Sequence, residues 1–68
     1  MADGLTNSVR EAREAKGWTQ AELAERIGVS RKTVNTVENG VFIPSTVVAL
    51  KLAKALGCAV EDLFFIVE

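Results

Sequence analysis

The chain has 68 residues and a formal net charge of -1, which is enough for one small domain. With 49% hydrophobic and 25% charged residues it is typical of a globular domain, and no apolar stretch is long enough to span a membrane, so we expect a cytoplasmic protein. Histidine and tyrosine are absent, no glycine-rich phosphate loop is present and Cys58 has no ligand partner for zinc, so we expect neither an enzyme nor a cofactor or metal site.

The first half of the sequence predicts two short helices. Helix 1 covers about residues 7–16 and is followed by a glycine. Helix 2 starts at Thr19, which stands three residues before Glu22 as in a capping box. Gly28 ends helix 2, because glycine adopts the left-handed conformation cheaply.

Three more helices follow. Helix 3 has Ser30 as its N-cap and Gly40 as its stop, helix 4 runs from Pro44-Ser45 to about Leu56-Gly57, and helix 5 covers about residues 60–65. The sequence contains no stretch of alternating polar and apolar residues, the pattern that would indicate a strand. The sequence therefore predicts a single domain, residues 1–68, folded as an all-α, compact five-helix bundle.

Helices 2 and 3, joined by a tight glycine turn, fit a helix-turn-helix, whose second helix enters the major groove of DNA. At 100° per residue, Val34 and Val37 face inward, and the opposite face holds Lys32, Asn35, Thr36 and Asn39. Cations are unfavourable at a helix N-terminus, where the macrodipole is positive. Arg31 and Lys32 at this position therefore indicate a polyanion partner; the alternative is a solvated helix start that tolerates them.

The stretch TQAELAERIGVSRKTVNTVENG, residues 19–40, resembles the helix-turn-helix of the Cro and phage-repressor type, the XRE-like family of prokaryotic transcription regulators. The resemblance extends from VREAREAKGWTQ through PSTVVALKLAKALG to VEDLF and so covers nearly the whole chain. It implies a lambda-repressor-like DNA-binding domain that binds double-stranded DNA, associated with the nucleoid when bound.

The resemblance also implies roles for individual residues. The base-reading positions are Ser30, Arg31, Lys32 and Thr36. We also assign Asn35 to base reading, with a phosphate contact as its alternative role. The phosphate-contacting positions are Thr19, Gln20 and Asn39, and we expect Arg10 and Arg26 to lie near phosphates as well. Asn39 has the alternative role of a polar residue at the helix C-terminus. Arg13 and Glu38 match a structural salt bridge between helices 1 and 3. The loop VFI departs from the family, which often places basic or polar residues there.

The sequence contains more apolar residues than the core of so small a domain can bury, and we expect the remainder to form a dimer interface. They are Leu50, Phe65, Ile66 and Val67, the last three within a dimerisation tail at 65–68. A two-fold homodimer through this tail would place two copies of helix 3 on one side, and the tail would pair as a short antiparallel strand across the axis. The alternative is a tail that folds back on its own bundle.

The predicted function is a sequence-specific DNA-binding transcriptional regulator that represses by binding a palindromic operator as a dimer. The length predicts no small-molecule effector domain. The alternative, from another functional class, is a protein-interaction module or antitoxin of the same fold with weak or no DNA binding.

Overall fold

The computed structural model describes residues 4–67 and contains five helices and one two-stranded sheet. In chain order the elements are β1 (Gly4–Asn7), α1 (Val9–Ala15), α2 (Gln20–Ile27), α3 (Arg31–Glu38), α4 (Thr46–Leu56), α5 (Val60–Leu63) and β2 (Phe64–Val67). Residue 68 of the predicted tail lies outside the described residues. Within those residues no helix is long and apolar enough to cross a membrane.

The start of α2, the end of α2 and the start of α3 have the caps that the sequence predicts. Thr19 forms the capping box: its hydroxyl accepts a bond from the Glu22 amide (3.0 Å), and its own amide donates to the Glu22 carboxylate (2.7 Å). The Ser30 hydroxyl accepts a bond from the Thr33 amide at 3.1 Å and so begins α3. Gly28 ends α2 with φ +74°, a conformation that a side chain would strain.

The hydrophobic side chains buried within residues 4–67 lie between the helices and are all aliphatic, and Trp18 and Phe64 pack against them. The largest fully buried side chains are Val9, Leu23, Val34, Val37, Leu52 and Leu63. Full burial of such a side chain contributes about 1.5–3 kcal/mol, so the two valines anchor one face of α3 firmly. The other face of α3 is left for contacts outside the domain.

The prediction of an all-α fold is wrong, because β1 and β2 form an antiparallel sheet in which Gly4 faces Val67 and Asn7 faces Phe64. Aromatic and β-branched residues in the tail favour this extended backbone. Helix 5 accordingly ends at Leu63, before the predicted end, and the tail pairs with its own chain where pairing across a dimer axis was predicted. The composition of the tail predicted one strand but not its partner β1, because the paired residues are about sixty positions apart in the chain.

The sheet is fastened to the helices by polar contacts. The Asn7 side-chain amide donates to the Val37 carbonyl at the end of α3 (2.9 Å), and the Ser8 amide donates to the Leu63 carbonyl (2.8 Å). These contacts hold residues 7 and 8 outside the helix, which explains why α1 begins at Val9, two residues later than predicted.

Candidate nucleic-acid interface

Helices α2 and α3 form a helix-turn-helix whose turn is residues 28–30. Val34 and Val37, 2% and 1% exposed, hold α3 against the core, while Ser30, Arg31 and Lys32 at its start are exposed. Asn35 and Thr36, one turn further along, are half-buried. The predicted base-reading residues therefore lie on the outer side of one helix.

Within this group, the two hydroxyl side chains already have local partners. The Ser30 hydroxyl caps α3 and lies 2.9 Å from the Thr33 hydroxyl. The Thr36 hydroxyl can donate to the carbonyls of Lys32 and Thr33, each at 3.0 Å. Thr36 can still offer its methyl group to a base, whereas a direct polar contact from Ser30 would compete with the helix cap.

The two cations at the start of α3 remain unpaired. Both salt bridges among residues 4–67 end on Glu38, and neither involves Arg31 or Lys32. A cation at a helix N-terminus opposes the macrodipole, so these side chains weaken the helix slightly when no anion is bound. An anion outside the domain would remove that cost.

The predicted salt bridge between α1 and α3 is present. The Arg13 Nε donates to the Glu38 carboxylate at 2.6 Å, a second Arg13 nitrogen does so at 3.2 Å, and a third donates to the Trp18 carbonyl at 2.7 Å. The Glu38 side chain is completely buried and that of Arg13 is 11% exposed. This pair therefore fixes α3 to α1 from beneath.

The protonation of this pair follows from its surroundings. Burial by itself raises the pKa of the Glu38 carboxyl, but hydrogen bonds from Arg13 and Gln20 and the charge of Arg13 outweigh it and leave the pKa below its ordinary value. The hydrogen bond to Glu38 raises the pKa of Arg13 against the effect of burial. Both groups are therefore charged at neutral pH.

Around Glu38 the structure closes a ring of polar side chains that the sequence did not predict. Gln20 donates to Glu38 (3.1 Å) and accepts from Asn35 (3.4 Å). Asn39 donates to Asn35 (3.3 Å) and accepts from Arg10 (2.8 Å). The Arg10 Nε donates to Glu38 (3.4 Å), which completes the ring. Three of the predicted phosphate-contacting residues, Arg10, Gln20 and Asn39, are thus linked by hydrogen bonds to Asn35 and to the Glu38 carboxylate. The spacing of four between Asn35 and Asn39 was the one sequence signal for this ring.

Thr19 and Arg26, both predicted to contact phosphates, lie in different surroundings. Thr19 is exposed at the N-terminus of α2, beside Gln20, where backbone amides favour an anion. Arg26 lies in the last turn of α2 with its guanidinium 4.0 Å from the centre of the Trp18 ring. The structure therefore groups Thr19 with the α3 surface but does not bring Arg26 to it.

The residues predicted for the dimer interface are all substantially exposed. Leu50 on α4 is 56% exposed, and Phe65, Ile66 and Val67 on β2 are 43%, 68% and 51% exposed. Leu5 of β1, which the sequence analysis did not single out, stands opposite Ile66 and shares a groove with Leu50. The sheet thus extends the predicted apolar surface.

The family model for the helix-turn-helix matches residues 9–63 of the chain. An HTH-type transcriptional regulator of Bacillus subtilis, YgzD, is 41% identical over 94% of this chain and 97% of its own length. The antitoxin HipB of Escherichia coli is 35% identical over 76% of this chain and 55% of its own length.

The fold also matches a solved structure. The restriction-modification controller protein C.AhdI from Aeromonas hydrophila superposes with a TM-score of 0.75 and 42% identity, over 79% of this chain and 82% of that protein. The family match includes α2 and α3, and so the exposed cations at the start of α3. The chain therefore belongs to the helix-turn-helix family of DNA-binding transcriptional regulators, of the Cro and phage-repressor type.

Proposed function

We propose that this chain is a repressor that binds a palindromic site in double-stranded DNA as a homodimer, with α3 in the major groove. The observation that carries the proposal is the pair Arg31 and Lys32, which are exposed and have no ion pair within residues 4–67. They stand at the start of a helix whose opposite face is buried. In a helix-turn-helix, the residues at this end of the second helix meet base edges.

Each side chain on this surface has a chemically defined task. Arg31 or Lys32 donates to O6 and N7 of a guanine, and the Thr36 methyl contacts the methyl of a thymine. Asn35 is half-buried and holds Gln20, so it also sets the position of the phosphate-binding residue. These tasks account for a local positive surface on a chain with a net charge of -1.

Phosphate binding is assigned to the N-terminus of α2 and to the polar ring. Thr19 and Gln20 lie where the backbone amides of α2 point outward, and an anion is favoured there. Arg10 and Asn39 are exposed members of the ring and can reach an adjacent phosphate. Because Gln20 also donates to Glu38, a phosphate held by Gln20 would be fixed relative to α3.

Dimerisation is assigned to the surface formed by Leu5, Leu50, Phe65, Ile66 and Val67. Ile66 lies on the face of the sheet that its pairing partner Leu5 shares, and Phe65 and Val67 lie on the opposite face. Large exposed apolar side chains on a domain this small mark an interface. A two-fold axis through it would present two copies of α3 to successive major grooves, about 34 Å apart. Such a dimer represses by occupying DNA that a polymerase needs.

Selection from a random pool of double-stranded DNA at low salt tests this proposal. We expect an enriched inverted repeat whose half-sites are about one helical turn apart. Gln20→Ala should weaken binding to all sequences alike, because a phosphate contact carries no base preference. If no sequence is enriched over the starting pool, the chain does not read DNA in this way.

A second candidate function, toxin neutralisation or another protein interaction, is favoured by the loop after α3. Val41, Phe42 and Ile43 are 78%, 48% and 71% exposed and carry no charge for a phosphate. The similarity to the antitoxin HipB points in the same direction. Absence of any gel shift with random DNA at low salt, where non-specific binding is strongest, would favour this function over repression.

A further inference from the structure

A groove between the end of α2 and α4 is lined by Trp18, the only tryptophan of the chain. Arg26, Lys51 and Lys54 line it together with the tryptophan. The Arg26 guanidinium stacks 4.0 Å from the ring centre, and the Lys16 ammonium lies 5.8 Å from it. Two cations, Arg26 and Lys16, thus lie against the ring, and Lys51 and Lys54 line the same groove.

None of these cations forms an ion pair within residues 4–67. The salt bridges within residues 4–67 use Arg10 and Arg13, and the one acidic residue that lines the groove, Glu25, forms no ion pair there. The helix macrodipole favours Arg26 and Lys54 in the last turns of α2 and α4. It does not account for Lys51, and the contacts with Trp18 account only for Arg26 and Lys16.

We propose that this groove binds an acidic peptide segment of a partner protein. Stacking on Trp18 fixes Arg26 and leaves the edge of its guanidinium free to donate two parallel hydrogen bonds to a carboxylate. Lys51 and Lys54, three residues apart on α4, lie side by side and supply charge for further carboxylates. Ala55, which also lines the groove, offers an apolar contact for a side chain between the acidic ones.

The groove is separate from the surface assigned to DNA. It shares no lining residue with the groove beside α3, which is formed by Ser30, Lys32, Thr33, Thr36, Val41 and Phe42. An acidic partner could therefore bind while α3 is in the major groove. The proposal goes beyond the repressor function and does not depend on it, because the peptide is recognised without DNA.

Trp18 fluorescence reports binding directly, since the chain has no second tryptophan. The probe is a short synthetic peptide of aspartate and glutamate around a central leucine, and its control carries asparagine and glutamine in their place. We expect the acidic peptide alone to give a saturable change that weakens with salt. The variant Lys51→Gln with Lys54→Gln should bind it roughly three- to tenfold more weakly, the loss expected for two exposed ion pairs. Arg31→Gln with Lys32→Gln removes the same charge from α3 and should bind it as the wild type does.

Four results would overturn the proposal. The first is an equal response to the acidic and amide peptides, and the second is equal weakening by both double variants. The third is a loss of DNA affinity in the Lys51 and Lys54 variant as large as in the α3 variant, which would make the groove a nucleic-acid surface. The fourth is a loss of self-association in the same groove variant, which would make a second copy of the chain the occupant. Circular dichroism of both variants controls for folding.

Discussion

Replacing Glu38 by glutamine tests the polar ring that joins α1, α2 and α3. All the groups that contact its carboxylate are donors, from Arg10, Arg13 and Gln20. The side-chain nitrogen of glutamine is itself a hydrogen-bond donor, so it could not accept the bonds that these groups donate. Arg13 would also keep its charge but lose its buried counter-ion. Glu38→Gln therefore changes almost no volume but removes the partner on which the ring depends.

The expected loss can be estimated from the burial of the pair. Stranding one partner of a buried ion pair costs about 3–5 kcal/mol. The Arg13 side chain is 11% exposed and keeps its 2.7 Å bond to the Trp18 carbonyl, so we expect the smaller loss of about 2–3 kcal/mol. A domain of this length has a free energy of unfolding of roughly 3–10 kcal/mol, and its melting temperature would fall by roughly 10–20 °C.

Urea unfolding followed by circular dichroism measures this loss. Glu25→Gln is the matched control, because Glu25 is exposed on α2 and has no ion pair within residues 4–67. The control should change the free energy of unfolding by less than about 0.5 kcal/mol. If Glu38→Gln is as stable as this control, the ring does not hold the three helices together.

Three further predictions concern pH, assembly and salt. Because the pKa of Glu38 is lowered in the folded state, ionised Glu38 stabilises the fold. This stabilisation is complete above the ordinary glutamate pKa of about 4.3 and is lost as the pH falls through the lowered pKa. Between about pH 5 and pH 3, urea titrations should therefore show a greater loss for the wild type than for Glu38→Gln. In sedimentation equilibrium, Ile66→Lys should convert dimer to monomer, whereas Val41→Lys, on an even more exposed valine of the loop, should not. Arg10→Ala, which removes a cation assigned to a phosphate, should reduce the salt dependence of DNA binding by about one phosphate contact per subunit, and an unchanged slope would remove Arg10 from the interface.

Helix boundaries could be predicted from the sequence where the determining contacts are local. Thr19 and Glu22 are three residues apart and satisfy each other's amides, and Ser30 caps the helix that it precedes. Val34 and Val37 could be assigned to the core from helical periodicity alone. The family resemblance supplied the Arg13–Glu38 pair, which no local pattern predicts.

What the sequence did not predict depends on contacts between distant residues. The pairing of β1 with β2 joins the two ends of the described chain, so no local pattern reveals it. The ring around Glu38 needs three helices in place before Gln20 and Arg10 can meet the carboxylate. Arg26 was predicted near phosphates from its charge, but the turn between α1 and α2 places Trp18 beneath it.

The affinity of Arg31→Ala for the selected operator and for its single-base variants tests the central claim most directly. Lys54→Ala, which removes an equal charge from α4, is the matched control. We predict that Arg31→Ala loses about 1–3 kcal/mol of binding free energy, roughly 5- to 150-fold in affinity, and loses preference at one position of each half-site, while the control keeps both. Equal affinities for the two variants, with base preference unchanged at every position, would contradict the assignment of α3 as the helix that reads DNA.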